Sequence, residues 1–164
     1  MNVLIHDREQ SSDDDIMKMT HDETIIISDN GKIQPCICCY GCWLKTPGQC
    51  VINDGYNNMG ALLSKCNQLI VISRCIYGAY SPFVKNVIDR TVCPYLLPYF
   101  KTKKGGTHHP KRYVNNITLS VHFYGEMSDS EKETARKLVT ANKNNLYKNS
   151  SVSFYKSFDE IKEV

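Results

Sequence analysis

The chain has 164 residues, of which 41% are hydrophobic and 23% are charged. These proportions predict one soluble domain over residues 1–164, long enough to bury roughly two thirds of its unfolded surface without disulfides or metal. The formal net charge of +3 is too small to indicate nucleic-acid binding. No run approaches the ~18 apolar residues that a membrane span requires, and the N-terminus lacks the pattern of a secretion signal. We therefore expect a cytoplasmic protein.

Apolar runs of strand length alternate with segments of helical periodicity. The five runs lie at residues 3–5, 25–27, 69–72, 117–123 and 152–155. One helix is predicted from Ser81-Pro82 to a point before Pro94, and another from Ser128, where Ser128-x-x-Glu131 has the form of a capping box. Strands joined by helices form crossover units. The pattern predicts a doubly wound α/β domain of three layers, α/β/α, with about five parallel strands.

Two stretches, residues 7–22 and 94–113, are predicted to be irregular. Parallel sheets bind ligands at the carboxyl ends of their strands, where the strand order reverses. Loops 34–54, 73–81 and 124–130 would gather at that edge, and each contains glycine and aromatic residues. Aromatic side chains in such a place favour a flat ligand, because stacking adds about 0.5–1.5 kcal/mol per contact.

Five of the eight cysteines lie close together in the sequence. Cys36, Cys39, Cys42 and Cys50 have the spacing C-x2-C-x2-C-x7-C, with Cys38 inside it. In a reducing compartment such residues are thiols or metal ligands rather than disulfides. The first spacing is common in iron–sulfur sites and fits zinc less well. The alternative is a tight loop of small residues that touches a ligand without binding metal.

Two sequence blocks carry a resemblance to a known family. The block PCICCYGCWLKTPGQCVIND at 35–54 and the block IYGAYSPFVKNVIDR at 76–90 are similar to motifs of the flavodoxin-like NADPH-dependent FMN reductases, which are related to the iron–sulfur flavoproteins. Tyr124-Gly125, before an acidic helix start, agrees with that family as well. The resemblance covers roughly residues 35–146 and implies a flavodoxin-like sheet.

The resemblance implies a flavin-dependent oxidoreductase of the NAD(P)H:FMN or quinone reductase type. FMN would bind at the carboxyl edge of the sheet in a homodimer, and NAD(P)H and a small-molecule acceptor would exchange hydride through flavin N5. Because the flavin carries this chemistry, no catalytic side chain is expected. By the same resemblance the residues around the flavin ring are Tyr77, Gly78, Tyr80 and Ser81, with Cys42 and Trp43 nearby and Tyr124 and Gly125 on the other side.

The segment that would hold the FMN phosphate is short. Residues 7–22 leave little room for the family's phosphate loop and full helix, so Arg8, Ser11 and Ser12 are the candidates for a reduced phosphate site, against the alternative of a solvated acidic turn. Two other functions stay open. One is an iron–sulfur flavoprotein-type electron carrier with a [4Fe-4S] cluster on Cys36, Cys39, Cys42 and Cys50. The other is a flavodoxin-fold protein that has lost FMN and acts by binding a partner.

Overall fold

The computed structural model describes residues 1–20, 23–103 and 106–164. In these residues the strands are β1 (Asn2–Glu9), β2 (Thr24–Asp29), β3 (Gln68–Arg74), β4 (Lys101–Lys103), β5 (Gly106–His108), β6 (Thr118–Tyr124) and β7 (Asn149–Tyr155). The helices are α1 (Asp13–Lys18), α2 (Gly41–Leu44), α3 (Met59–Ser64), α4 (Pro82–Tyr95) and α5 (Asp129–Leu146). Single 3-10 turns lie at Gln10–Ser12 and Phe158–Glu160.

Five strands form one parallel sheet in the order β2-β1-β3-β6-β7. This is a doubly wound order, with the reversal between β1 and β3, and it confirms the predicted sheet. Alternate residues of each central strand point to opposite faces. Val3 and Val71 join a large apolar cluster with α3, α4 and α5, whereas Leu4 and Ile70 join a smaller one with Ile16 of α1. The sheet is therefore buried on both faces.

The observed starts of α4 and α5 agree with the starts predicted from the sequence, whereas the observed end of α4 differs from the predicted one. Ser128 Oγ accepts the Glu131 N–H at 3.3 Å and Glu131 Oε2 accepts the Ser128 N–H at 2.9 Å, so the capping box is confirmed. The predicted end of α4 before Pro94 is wrong, because the helix includes Pro94 and ends at Tyr95. A proline in the last turn removes a single backbone bond, which the packing of this helix tolerates.

The segment predicted to be irregular from residue 94 to 113 contains the antiparallel pair β4 and β5. In the other irregular stretch, the connection from β1 to β2 holds one 3-10 turn and the six-residue α1. Residues 21 and 22, at the end of that predicted short crossover, lie outside the described residues. Of the helices described, none combines the length and apolar character needed to cross a membrane.

Candidate functional site

A cleft of about 560 Å³ opens at the carboxyl edge of the sheet, beside the reversal of strand order. It is formed by the ends of β1, β2, β3 and β6 together with the start of α4. Its lining residues are Asp7, Arg8, Glu9, Ser12, Asp29, Arg74, Ile76, Ser81, Pro82, Phe83 and Tyr124. The volume lies within the range of small-molecule sites, and the position is the one that open α/β sheets use for ligands.

The Ser81 hydroxyl is a buried polar group in the wall of this cleft. Ser81 is only 6% exposed, and its Oγ has no hydrogen-bond partner in the part of the chain that the structure describes. Its own N–H donates to Ser73 Oγ at 2.9 Å, which fixes the backbone at the start of α4. Because Pro82 has no N–H, the first backbone donors of α4 that lack a partner within the helix are those of Phe83 and Val84. The cleft therefore has donors suited to an acceptor oxygen of a ligand.

Asp7 joins the ends of three strands beneath the cleft. Its Oδ1 accepts the Tyr124 hydroxyl at 2.8 Å, and its Oδ2 accepts the Arg74 N–H at 2.8 Å. Burial, reinforced by Asp7, raises the pKa of Tyr124 to about 12. Tyr124 thus remains a protonated donor at neutral pH. Asp7 and Arg74 were not predicted from the sequence, although each lies two residues after a predicted strand and the carboxyl ends of these strands should meet at one edge.

The cleft presents charges of both signs. Arg8 and Arg74 face a lining that also contains the carboxylates of Asp7, Glu9 and Asp29. The Arg8 guanidinium lies 5.0 Å from the centre of the Phe158 ring, a cation–π distance that holds this side chain at the edge of the cleft. The two arginines are the cations available to an anionic ligand.

Asp13, the first residue of the acidic run, turns toward the sheet. His6 Nε2 lies 3.0 Å from Asp13 Oδ1, Ser28 Oγ donates to Asp13 Oδ2 at 3.0 Å, and the Arg8 N–H donates to His6 Nδ1 at 3.2 Å. These contacts assign the proton of neutral His6 to Nε2. Asp15 instead forms an exposed pair with Lys18. The acidic run therefore supports β1 and β2 and also forms a solvated surface.

Protonation of His6 should weaken the fold. Burial lowers the pKa of His6 below the ordinary histidine value of 6.5. As the pH falls below 6.5, the unfolded chain therefore takes up a proton at this residue while the folded state keeps the neutral form. The contribution of neutral His6 to the free energy of unfolding is then fully present above pH 6.5 and declines as the pH falls toward the pKa of the folded state. Urea unfolding at pH 7.5 and 5.5 measures the loss, at most about 1.4 kcal/mol per pH unit for one group. His6→Asn should lose less over this interval, and equal losses in both proteins would contradict the assignment.

The loop after β3 makes a tight turn at Tyr77-Gly78. Both residues have positive φ, 52° and 80°, and Ile76 and Ala79 exchange backbone hydrogen bonds of 2.9 and 3.0 Å across the turn. Tyr77 is 87% exposed at this turn. Tyr80, by contrast, stacks on Phe123 in the core. The four residues predicted around the flavin ring thus have different environments. Ser81 lies in the cleft wall, Tyr77 is at the surface, and Gly78 and Tyr80 are packed against other residues.

Trp43 lies at the opposite end of α4 from Ser81. Its Nε1 donates to the carbonyl of Leu96 at 3.1 Å, and its ring contacts Tyr40 and His109. The helix covers about 20 Å over its 14 residues, and α2, which carries Cys42 and Trp43, packs on its second half. The structure does not bring these two residues to the cleft.

The remaining predicted residues lie at or near the cleft. Arg8, Ser12 and Tyr124 line it, and Ser11 is exposed on the adjacent 3-10 turn. Gly125, with φ of 108°, follows Tyr124 and lines a neighbouring cavity of about 380 Å³. Among the described residues, no group of three or more His, Cys, Asp or Glu side chains is arranged to hold a metal ion.

Comparison with known proteins supports the fold. No protein-family model matches the chain, and no curated protein matches it. A solved structure of an FMN-dependent NADH-azoreductase from Bacillus anthracis str. Ames Ancestor, in complex with FMN, is similar with a TM-score of 0.53 and 12% sequence identity. The alignment covers 98% of this chain and 92% of that one. The chain has a flavodoxin-like α/β fold.

Proposed function

We propose that the chain is an FMN-dependent oxidoreductase of the NAD(P)H:FMN or quinone reductase type, with FMN in the cleft at the carboxyl edge. The observation that carries the proposal is the buried, unpartnered Ser81 hydroxyl in the wall of that cleft. A flavin ring has carbonyl oxygens along one edge, and these are the acceptors that such a donor needs. The sequence motifs around this position and the similar FMN-containing structure point in the same direction.

In this proposal the two ends of FMN meet different parts of the cleft. The Ser81 hydroxyl and the Phe83 N–H donate to the ring, Tyr77 stacks on its exposed face, and Tyr124 and the following Gly125 border it. The phosphate is paired with Arg8, Ser11, Ser12 and Arg74, at the ends of β1 and β3. Since α1 has only six residues, these side chains replace a full phosphate loop.

The chain's own contribution is binding and orientation. Bound FMN supplies hydride transfer from a nicotinamide through its N5 atom, and this needs no acid or base from the protein. Tyr124 donates a hydrogen bond to Asp7 and stays protonated near neutral pH, so it contributes to the shape of the cleft. Ser81 fixes the edge of the ring, and the apolar wall of Pro82 and Phe83 excludes water.

Titration with FMN tests the proposal. The protein should bind FMN and then oxidise NAD(P)H. Tyr77→Ala should weaken FMN binding about tenfold, or ~1.4 kcal/mol, and Ser81→Ala should weaken it by about 0.5–1.5 kcal/mol through the lost hydrogen bond. Tyr99→Ala removes another exposed tyrosine, on the segment after α4, and should leave the affinity unchanged.

Three outcomes would point away from this proposal. A protein that ignores FMN would favour the partner-binding function, and equal affinities in all three variants would place FMN elsewhere. Iron and sulfide in the purified protein would favour the iron–sulfur electron carrier, for which the described cysteines offer no preformed metal site. A homodimer, a cytoplasmic location and the choice between NADH and NADPH stay predictions.

A further inference from the structure

A second site lies at the other end of α4, where six cysteines surround one small cavity. The cavity has a volume of about 40 Å³, and all six side chains are free thiols. Five come from the loop between β2 and α3, and the sixth comes from α4: Cys36, Cys38, Cys39, Cys42, Cys50 and Cys93. Sequence spacing gave no reason to include Cys93. The fold therefore concentrates thiols beyond what the loop motif alone provides.

Two of these thiols, Cys39 and Cys42, differ sharply in exposure. Cys39 is exposed, whereas Cys42, three residues later at the start of α2, is only 8% exposed. Burial, followed by the neighbouring cysteines, raises the pKa of Cys42. An accessible outer thiol and a protected inner thiol with C-x2-C spacing form the usual arrangement of a dithiol that exchanges with disulfides.

Arg90 provides a positive charge in the wall of the same cavity. The residue is 1% exposed, and its two terminal nitrogens donate to Asp54 and to the carbonyls of Gln34 and Ile52. Its third nitrogen, Nε, has no hydrogen-bond partner in the described chain. The guanidinium is paired with Asp54, and its bonds to the two carbonyls fix the loop that carries five of the thiols against α4. This observation does not depend on the cysteine spacing.

We propose that Cys39 and Cys42 form a dithiol–disulfide site that reduces low-molecular-weight disulfides. The Cys39 thiolate attacks one sulfur of the substrate, so a mixed disulfide forms and the first small thiolate leaves and takes a proton from water. Cys42 then loses its proton and attacks the Cys39 sulfur, which releases the second small thiol. The protein loses two S–H hydrogens and the substrate gains two. An external dithiol then reduces the Cys39–Cys42 disulfide, is itself oxidised to a disulfide, and so restores the two thiols.

This site is independent of the proposed flavin cleft. Arg90 lies seven residues beyond Phe83, the last cleft residue on α4, which corresponds to about 10 Å along the helix. The exchange uses only sulfur chemistry and requires no FMN. A chain that fails to bind FMN can therefore still react as proposed.

The test uses the full chain, reduced with dithiothreitol, freed of it, and mixed anaerobically with bis(2-hydroxyethyl) disulfide. We expect release of mercaptoethanol and a Cys39–Cys42 disulfide in peptide mapping. Cys39→Ser should slow the reaction at least tenfold, and Cys42→Ser should trap a mercaptoethanol adduct on Cys39. Cys42→Ala replaces Cys42→Ser if the serine variant does not fold. Cys66→Ser, which changes a thiol buried in the core, should behave like the wild type.

Three results would overturn the proposal. One is a disulfide that maps to another pair, such as Cys42 and Cys93. Another is a wild-type rate in Cys39→Ser. The third is the finding of iron and sulfide bound to these thiols in the purified protein, because the thiols would then be ligands.

Discussion

Replacing Arg90 with alanine is expected to lower the free energy of unfolding by about 3–5 kcal/mol, the cost of breaking a buried ion pair by removing one partner. The side chains of Arg90 and Asp54 are 0% and 4% exposed, and the two are bonded directly. Without the guanidinium, the Asp54 carboxylate stays buried with no opposite charge. The carbonyls of Gln34 and Ile52 lose a donor as well.

Urea unfolding measures this loss, and the same helix offers a control. Lys85 and Asp89 form an exposed ion pair four residues apart on α4. Lys85→Ala should cost less than about 1 kcal/mol, since exposed pairs contribute little. Adding Asp54→Ala to Arg90→Ala should recover part of the stability because no unpaired charge remains. A loss below about 1 kcal/mol in Arg90→Ala alone would show that this contact is dispensable.

The same ion pair has a consequence for the cysteine cavity. Arg90 attaches the loop of residues 34–54 to α4, and that loop carries five of the six thiols. Asp54 also accepts the Gln34 N–H at 2.9 Å, so one carboxylate holds both ends of the loop. No motif or spacing in the sequence singles out this arginine. Its partner is 36 residues away, and nothing local to either residue indicates that the two meet.

The sheet was predictable because its signals are local. Continuous apolar runs mark β1 and β3, whose central residues are buried on both faces, and a run with polar residues at alternate positions marks β6. The Ser128 capping box marks the start of α5. Pro82 marks the start of α4 in the same way. The short α2 and the β4–β5 pair were missed, since they depend on contacts with distant parts of the chain such as Trp43 with Leu96.

The site was predictable only in part, for a related reason. The strand-end rule locates the cleft, and the motif at 76–90 places Ser81 in it. A motif match cannot tell a residue that faces a ligand from one that supports the loop, and Tyr80 belongs to the second kind because its ring stacks on Phe123. The cavity that joins Cys93 to the loop thiols depends on how the loop packs on α4, which no sequence spacing encodes.

Gly78 offers a way to separate packing from ligand contact. Its φ of 80° is unfavourable for other residues, and an added Cβ would lie 2.7 Å from both the Glu131 carbonyl oxygen and Thr134 Cβ on α5. The left-handed backbone costs about 1–2 kcal/mol and overpacking about 1–3 kcal/mol. Gly78→Ala should therefore lower the free energy of unfolding by about 2–5 kcal/mol, measured by urea unfolding.

Gly31→Ala is the matched control for this substitution. Gly31 has a similar φ of 72°, but no atom lies within 4 Å of the position that its Cβ would occupy. Gly31→Ala should therefore lower the free energy of unfolding only by the backbone cost of about 1–2 kcal/mol. The difference between the two variants then measures the contact of the turn with α5. If Gly78→Ala costs no more than Gly31→Ala, the turn does not pack on α5 as described. If it instead abolishes FMN binding in a protein of normal stability, Gly78 acts at the flavin ring, as the family resemblance implies.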